Sequence, residues 1–272
     1  MSTPPKTRKQ AAAPLRVPAL PAHAAVFLDI DGTLVGYEER PCDVRIDEEL
    51  SVLLENVSRA SSGALALISG RSIADIDALF APARFALAGQ HGAERRSADG
   101  VLHLHQPLAS RLGRYAQELR RFVAARPGLL LEEKGASLAL HFRGDPSLGG
   151  AVEREARRVM GLVGGDFELL AGKYVFELKQ SGRDKRMAIA EFMEEPPFRG
   201  RVPVFVGDDL TDEIGFDLVN RTGGCSVKVG PGATCAPWRL ADALAVRAWL
   251  ASAVALALGP EGQDARRAGA DE

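Results

Sequence analysis

Cysteine is scarce: Cys42, Cys225 and Cys235 are the three in 272 residues, odd in number and far apart. No CxxC pair or Cys/His cluster with zinc spacing occurs. That excludes a disulfide framework and a structural zinc site, and it fits reduced thiols in a cytoplasmic protein. A chain of this length buries roughly three quarters of its unfolded surface and needs no such staple. An excess of one charge is missing too. Lys and Arg number 34 against 36 Asp and Glu, a formal balance of −2, so no broad basic field is offered to a nucleic-acid backbone. Long apolar runs are also lacking. The longest, Ala248 to Leu258, falls well short of the ~20 residues that span a bilayer. Lys6, Arg8 and Lys9 are followed by Ala and Pro, not by the apolar core of a signal peptide. Neither nucleic acid nor membrane is expected as a partner. What remains, 46% apolar and 26% charged residues, is an ordinary globular mix sufficient for one large or two modest domains.

The apolar pattern divides the chain. Ala24 to Leu28, Ala64 to Ile68 and Phe85 to Ala88 are continuous apolar runs separated by helical patterns, the first of them Asp47 to Ser58 with Leu50, Leu53, Leu54 and Val57 on one face. Such runs read as parallel strands buried on both sides, and their alternation with helices predicts a doubly wound sheet. The same style returns in Val202 to Val206 and Cys225 to Val229. Between them the grammar changes to one helix and two strands, repeated once: Leu108 to Ala125, Leu129 to Glu133 and Ser137 to Arg143, then Leu148 to Leu162, Phe167 to Leu170 and Tyr174 to Lys179. The last pair is joined by Ala171-Gly172-Lys173, a plausible hairpin turn. An antiparallel sheet with helices on one face is expected there, inserted into a split α/β domain.

Chemistry in open parallel sheets sits beyond the carboxyl ends of the strands. Two of these strands end in acids, Asp29-Ile30-Asp31-Gly32-Thr33 and Gly207-Asp208-Asp209. Asp29 and Asp31 share one side of an extended backbone, and Gly32 permits a sharp turn after them. Each cluster alone also reads as a solvated acidic turn. If they converge, the carboxylates repel unless a divalent cation neutralises them, and oxygen donors suit Mg²⁺ before Zn²⁺. Ser69-Gly70-Arg71 after the second strand offers a hydroxyl and backbone N–H groups to an anion. Lys185 stands just before the helical run Met187 to Met193, where a cation could balance a phosphoryl group.

In this order the segments resemble the motifs of the haloacid dehalogenase-like (HAD) phosphohydrolase superfamily. Asp29 to Thr33 is similar to its first motif, Ser69 to its second, Lys185 to its third and Gly207 to Glu213 to its fourth. The resemblance implies an α/β fold: a Rossmann-like doubly wound parallel-sheet core with an inserted α+β cap of the C2 type. The expected divisions are a flexible tail at 1–22, core at 23–106, cap at 107–179, core again at 180–258 and a second flexible tail at 259–272. It also implies an aspartyl-phosphate intermediate, with Asp29 as nucleophile and Asp31 as acid and base. Ser69 and Lys185 would hold phosphoryl oxygens. Asp29, the Asp31 carbonyl and Asp208 would bind Mg²⁺, with Asp209 and Asp212 as further ligands or their supports.

Three further segments, Gly89 to Glu94, Glu132 to Arg143 and Gly172 to Glu177, resemble those of trehalose-6-phosphate phosphatases. Two departures are visible: Gln90, where a smaller or apolar residue is usual, and Arg186, where Gly commonly follows the Lys. The resemblance implies a monomeric, Mg²⁺-dependent hydrolase in trehalose biosynthesis that takes trehalose 6-phosphate. Gly70, Arg71, His91, Glu132, Lys134, Arg143 and Glu177 would bind substrate, Arg143 through the phosphate or the Glu residues. Glu132 to Lys134 alone also reads as a charged surface turn, and His91 either approaches the site or shapes its loop. Another sugar phosphate, such as sucrose 6-phosphate or a mannosyl phosphate, or a mutase-type transfer, would use the same chemistry. A catalytically silent sugar-phosphate sensor would be expected to lose Asp29, Asp31 or Asp208, and all three are present. His103 and His105 alternate with Leu102 and Leu104 and are expected on the exposed face of a strand. Trp238 and Trp249 are expected to pack.

Overall fold

The computed structural model describes residues 17–21, 23–38, 43–80, 85–105, 109–135 and 137–258. Cys42, the 106/107 boundary and most of both expected tails lie outside the described residues. Of the N-terminal stretch, Val17 and Leu20 pack against the core, and Trp249 Nε1 donates to the Pro18 carbonyl at 3.0 Å.

The larger sheet has eight strands: β1 (Ala24–Leu28), β2 (Leu65–Ile68), β3 (Ala86–Gly89), β4 (Glu94–Arg96), β5 (Leu102–Leu104), β10 (Val202–Gly207), β11 (Cys225–Val229) and β12 (Trp238–Leu240). Their order is β12-β11-β10-β1-β2-β3-β4-β5, parallel from β12 to β3 and antiparallel beyond. Each apolar run alternates between two layers. Val26 and Leu28 of β1 face helices α1 (Glu48–Ala60) and α7 (Ala243–Leu258) through Leu50, Leu54, Val246 and Leu250. Ala25 and Phe27 face α5 (Lys185–Met193) and α6 (Glu213–Arg221), where Phe192, Phe198 and Phe216 surround them. Phe27 is fully buried, and truncating such a ring to Ala costs about 3–5 kcal/mol. Helix α1 starts where Asp47 accepts the Leu50 N–H at 2.7 Å, with Glu48 and Glu49 in its first turn, as the helix dipole favours. Helix α2 (Ile73–Phe80) covers β3.

A second sheet, antiparallel in the order β6-β7-β9-β8, is built from β6 (Leu130–Glu133), β7 (Ser137–His141), β8 (Phe167–Gly172) and β9 (Val175–Gln180). Helices α3 (Ala109–Ala124) and α4 (Gly149–Val163) cover one face. Leu138, Leu140 and Leu178 point into that apolar layer with Leu119, Val152 and Val159. Strand alternation therefore sends Ser137, Ala139, His141 and Glu177 to the opposite face. The hairpin between β8 and β9 turns on Lys173-Tyr174, with Gly172 paired to Val175, two residues later than the sequence pattern placed its start. Tyr174 takes a positive φ of 63° there.

One expected orientation is reversed. In β5 the exposed side chains are Leu102 and Leu104, whereas His103 and His105 are half-buried. His103 pairs across the ladder with Arg95, which is buried and bound to Glu191 and Glu195. The polar side of this sheet edge is thus covered by Glu191 of α5 and by Glu195 just beyond that helix, and the leucines are left outside. Trp238 and Trp249 pack against the core, Trp238 from a short strand.

Candidate active site

The chain leaves β1 toward β2 on one side and joins β10 on the other, so the switch point of the sheet lies at β1. Register places Leu28 opposite both Leu67 and Val206. The three carboxyl ends consequently lie level, and Asp29, Ser69 and Asp208 follow them.

Lys185, the first residue of α5, donates to Asp29 Oδ1 at 2.8 Å and to Asp212 Oδ1 at 2.6 Å. The other Asp212 oxygen accepts the Asp208 and Asp209 N–H groups, each at 2.9 Å. Gly207 is required beside it, because a Cβ there would lie 2.3 Å from Asp212 Cγ. Asp209 caps the turn at Leu210–Asp212 by accepting from the Thr211 N–H and hydroxyl. Asp208 is held by the Tyr37 hydroxyl on Oδ2 at 2.8 Å and by the Thr33 hydroxyl on Oδ1 at 3.3 Å. Lys228 Nζ donates to its backbone carbonyl. Arg71 grips Asp31 with two parallel bonds, Nε to Oδ2 at 2.6 Å and Nη2 to Oδ1 at 2.7 Å.

Carboxyl oxygens of Asp29, Asp208 and Asp212 all lie within 4.8 Å of one another. Burial pushes Asp29 and Asp208 above the usual carboxylate range, the neighbouring aspartates push them further, and Lys185 offsets this only in part. Asp212 is pushed up to about 8, by burial first and then, against the pull of Lys185, by Asp29 and Asp209. Burial works against the Lys185 charge, yet Asp212 and Asp29 hold its pKa well above that of a free lysine. The cluster carries more negative charge than its one shared ammonium balances, and every donor is oxygen. That arrangement fits a hard divalent cation. HAD phosphatases generally use a metal, and these residues are compatible with one.

Across the cleft, the second sheet supplies its own charged row. Glu132, Ala139 and Glu177 stand opposite one another on β6, β7 and β9, so the small Ala139 leaves space between two carboxylates. Lys134 Nζ lies 3.5 Å from Glu177 Oε2 and 3.7 Å from Glu132 Oε2. Ser137 donates to Glu177 Oε1 at 2.6 Å, and His141 meets Glu132 at 2.9 Å. His91, at φ 54° after β3, reaches Glu177 with Nε2 at 3.2 Å. Its Nδ1 is buried with no partner. Gly70 has no side chain because a Cβ would lie 2.8 Å from the His91 ring. Burial alone would raise Glu177, but Lys134 and His91 hold it well below the ordinary carboxylate range.

One cleft brings these groups together, lined among others by Asp29, Asp31, Ser69, Lys185, Lys134 and Glu177. Gly70, Arg71, His91, Glu132, Arg143 and Asp209 line it as well. Asp208 and Gly32 face a neighbouring groove instead. Of the two routes expected for Arg143, the structure does not show the one through the glutamates. Arg143 lies past the end of β7, donates to the Glu38 carbonyl and covers the Tyr37 ring, and has no hydrogen bond to either glutamate. Sequence reasoning missed Thr33, Tyr37, Ser137, His141 and Lys228. Lys228 carried a signal, a lone cation within an apolar strand; Thr33, Tyr37 and Ser137 became visible only through partners remote in the chain, and His141 through the pairing of β6 with β7.

Comparison with known proteins agrees with this geometry. The Trehalose-phosphatase family matches residues 27–243. The chain is 47% identical over 236 residues to trehalose-6-phosphate phosphatase of Escherichia coli (strain K12), covering 86% of this chain and 87% of that protein. It is 41% identical to a probable trehalose-phosphate phosphatase of Sinorhizobium fredii, over 76% and 78% of the two chains. Among solved structures, a trehalose-6-phosphate phosphatase related protein superposes with a TM-score of 0.70 at 27% identity, over 86% and 98% of the chains. The C-terminal domain of C. albicans trehalose-6-phosphate phosphatase gives 0.76 at 22%, over 86% and 93%, a likeness of fold. The strand-end carboxylates, the inserted sheet and the extent of these matches agree, and the chain belongs to the trehalose-phosphatase family, on the HAD fold.

Proposed function

We propose that the protein hydrolyses trehalose 6-phosphate to trehalose and phosphate, with Asp29 as nucleophile and Mg²⁺ as the metal. One observation carries this reading: the phosphoryl-transfer groups Asp29, Asp31 and Lys185 share a single cleft with the row Glu132, Lys134 and Glu177. Lys185 holds Asp29 Oδ1, leaving Oδ2 as the oxygen that attacks phosphorus. The P–O bond to the sugar breaks as the Asp29–phosphoryl bond forms. Asp31 gives its proton to the departing sugar oxygen, then takes one from the water that attacks the acyl phosphate. Arg71 bonds both Asp31 oxygens and must release one of them for that carboxyl to carry the proton. Ser69 and Lys185 hold phosphoryl oxygens. Asp29, the Asp31 carbonyl and Asp208 would hold Mg²⁺, which supplies positive charge against the transferring phosphoryl group.

The inserted sheet closes on the sugar as a cap. Glu132 and Glu177 accept from adjacent sugar hydroxyls, Lys134 donates between them, and His91 steadies Glu177 from the core side. Closure keeps bulk water from the first transfer and opening releases trehalose. The test is phosphate release from trehalose 6-phosphate beside glucose 6-phosphate and sucrose 6-phosphate, with and without EDTA. Mg²⁺-dependent release confined to the trehalose ester is expected. Equal release from all three, or no effect of EDTA, overturns the substrate or the metal assignment respectively. The protein works in the cytoplasm as a monomer, and gel filtration tests the oligomeric state.

A further inference from the structure

Tyr37 is used by none of these steps, yet it touches both halves of the molecule. Its hydroxyl donates to Asp208 Oδ2 at 2.8 Å. Two cations from the cap lie against its ring: the Arg143 guanidinium is 5.0 Å from the centroid and Lys173 Nζ is 5.5 Å away. Arg143 also donates to the carbonyl of the next residue, Glu38. The ring stands between two cavities. It lines the substrate cleft, where Asp29 and Asp31 lie, and the adjoining groove, where Gly32 and Asp208 lie. At 39% exposure it is not a core residue, so the fold itself does not require it.

We propose that Tyr37 is a positioning residue that couples cap closure to the metal site, through its cap-facing ring and the hydrogen bond to Asp208. The inference rests on the reading of Asp208 as a metal ligand. With the cap closed, the two cations hold the ring by its electron-rich face. The hydroxyl then fixes Oδ2 and leaves Oδ1, which among the described residues accepts just the longer Thr33 contact, to turn toward the metal. Such outer partners of ligating carboxylates govern both orientation and affinity. With the cap open the ring loses both cations, and water competes for Asp208.

Electrostatics alone predicts the opposite sign. Removing the Lys173 charge near an acidic cluster should tighten cation binding, whereas loosening Tyr37 should weaken it. Isothermal titration of the full chain with Mg²⁺ separates the two, using wild type, Y37F, K173M and the double variant. Y37F keeps the ring and should weaken Mg²⁺ about tenfold with an unchanged melting temperature in metal-free buffer. K173M should weaken Mg²⁺ by about threefold beside Tyr37, and not at all in the Y37F background. The proposal is overturned if Y37F binds within twofold of wild type. It is equally overturned if K173M binds Mg²⁺ as well as or better than wild type, or weakens it alike in both backgrounds. The functional reading fails separately, if wild type releases no phosphate from trehalose 6-phosphate; the metal titration requires no turnover.

Discussion

Lys134→Met is the sharpest test of the charged row in the cap. Met keeps the stem and removes the ammonium from between Glu177 Oε2, 3.5 Å away, and Glu132 Oε2, 3.7 Å away. The lysine side chain is 9% exposed and that of Glu177 7%, so solvent replaces little of the lost charge. Breaking such a pair from one side costs on the order of 3 kcal/mol. At about 2–4 °C per kcal/mol for a chain of this size, the melting temperature should fall by about 6–12 °C at pH 8. The glutamates have second partners, however: His91 on Glu177 at 3.2 Å and His141 on Glu132 at 2.9 Å. These contacts survive the substitution, which places the loss at the low end for a broken buried pair. Circular-dichroism melts of both proteins at pH 8 measure this. A loss below about 1 kcal/mol at pH 8 would refute the charge argument. In the same variant, KM for trehalose 6-phosphate should rise more than KM for a small aryl phosphate.

Asp29→Asn should remove phosphate release by about 10⁴-fold or more while leaving the melting curve in place; residual turnover near wild type would rule out Asp29 as nucleophile. Gly32→Ala places a Cβ 2.3 Å from Asp208 Oδ2 at a φ of +87°. It should weaken Mg²⁺ binding by about tenfold or more in calorimetry and cost about 1–2 kcal/mol of stability. Glu177 has a lowered pKa in the folded chain, so its ionised form favours folding. That contribution is present above the unfolded value near 4.5 and is lost as pH falls through the folded one. The stability gap between wild type and Glu177→Gln, measured by urea titration, should therefore shrink from pH 6 to pH 3, and a gap constant across that range counts against the assignment.

Parallel strands covered on both faces must be apolar throughout, which is why β1, β2, β10 and β11 stand out as uninterrupted runs. The three-residue strands β4 and β12 do not. Glu94-Arg95-Arg96 carries no apolar pattern and owes its extension to pairing with β3. His103 shows the limit of alternation: period two says that imidazoles and leucines face opposite ways, but not which side is covered. Helix α5, with Glu191, decides that.

The acids at 29, 31 and 208 were legible because short loops keep a motif contiguous, and a carboxylate directly after a buried strand has few places to go. Glu132 and Glu177 could be singled out from their segments, but their pairing across Ala139 depends on strand register that no local pattern encodes. Tyr37 meets Asp208 across 171 positions of chain, and Lys185 meets Asp29 across 156. The chain's own letters determined which segments are strands and helices and where carboxylates follow buried strands, since burial and backbone geometry impose those choices locally. Only the tertiary structure decided which charge faces which, because that depends on the order of strands in the sheets and on where the cap rests against the core.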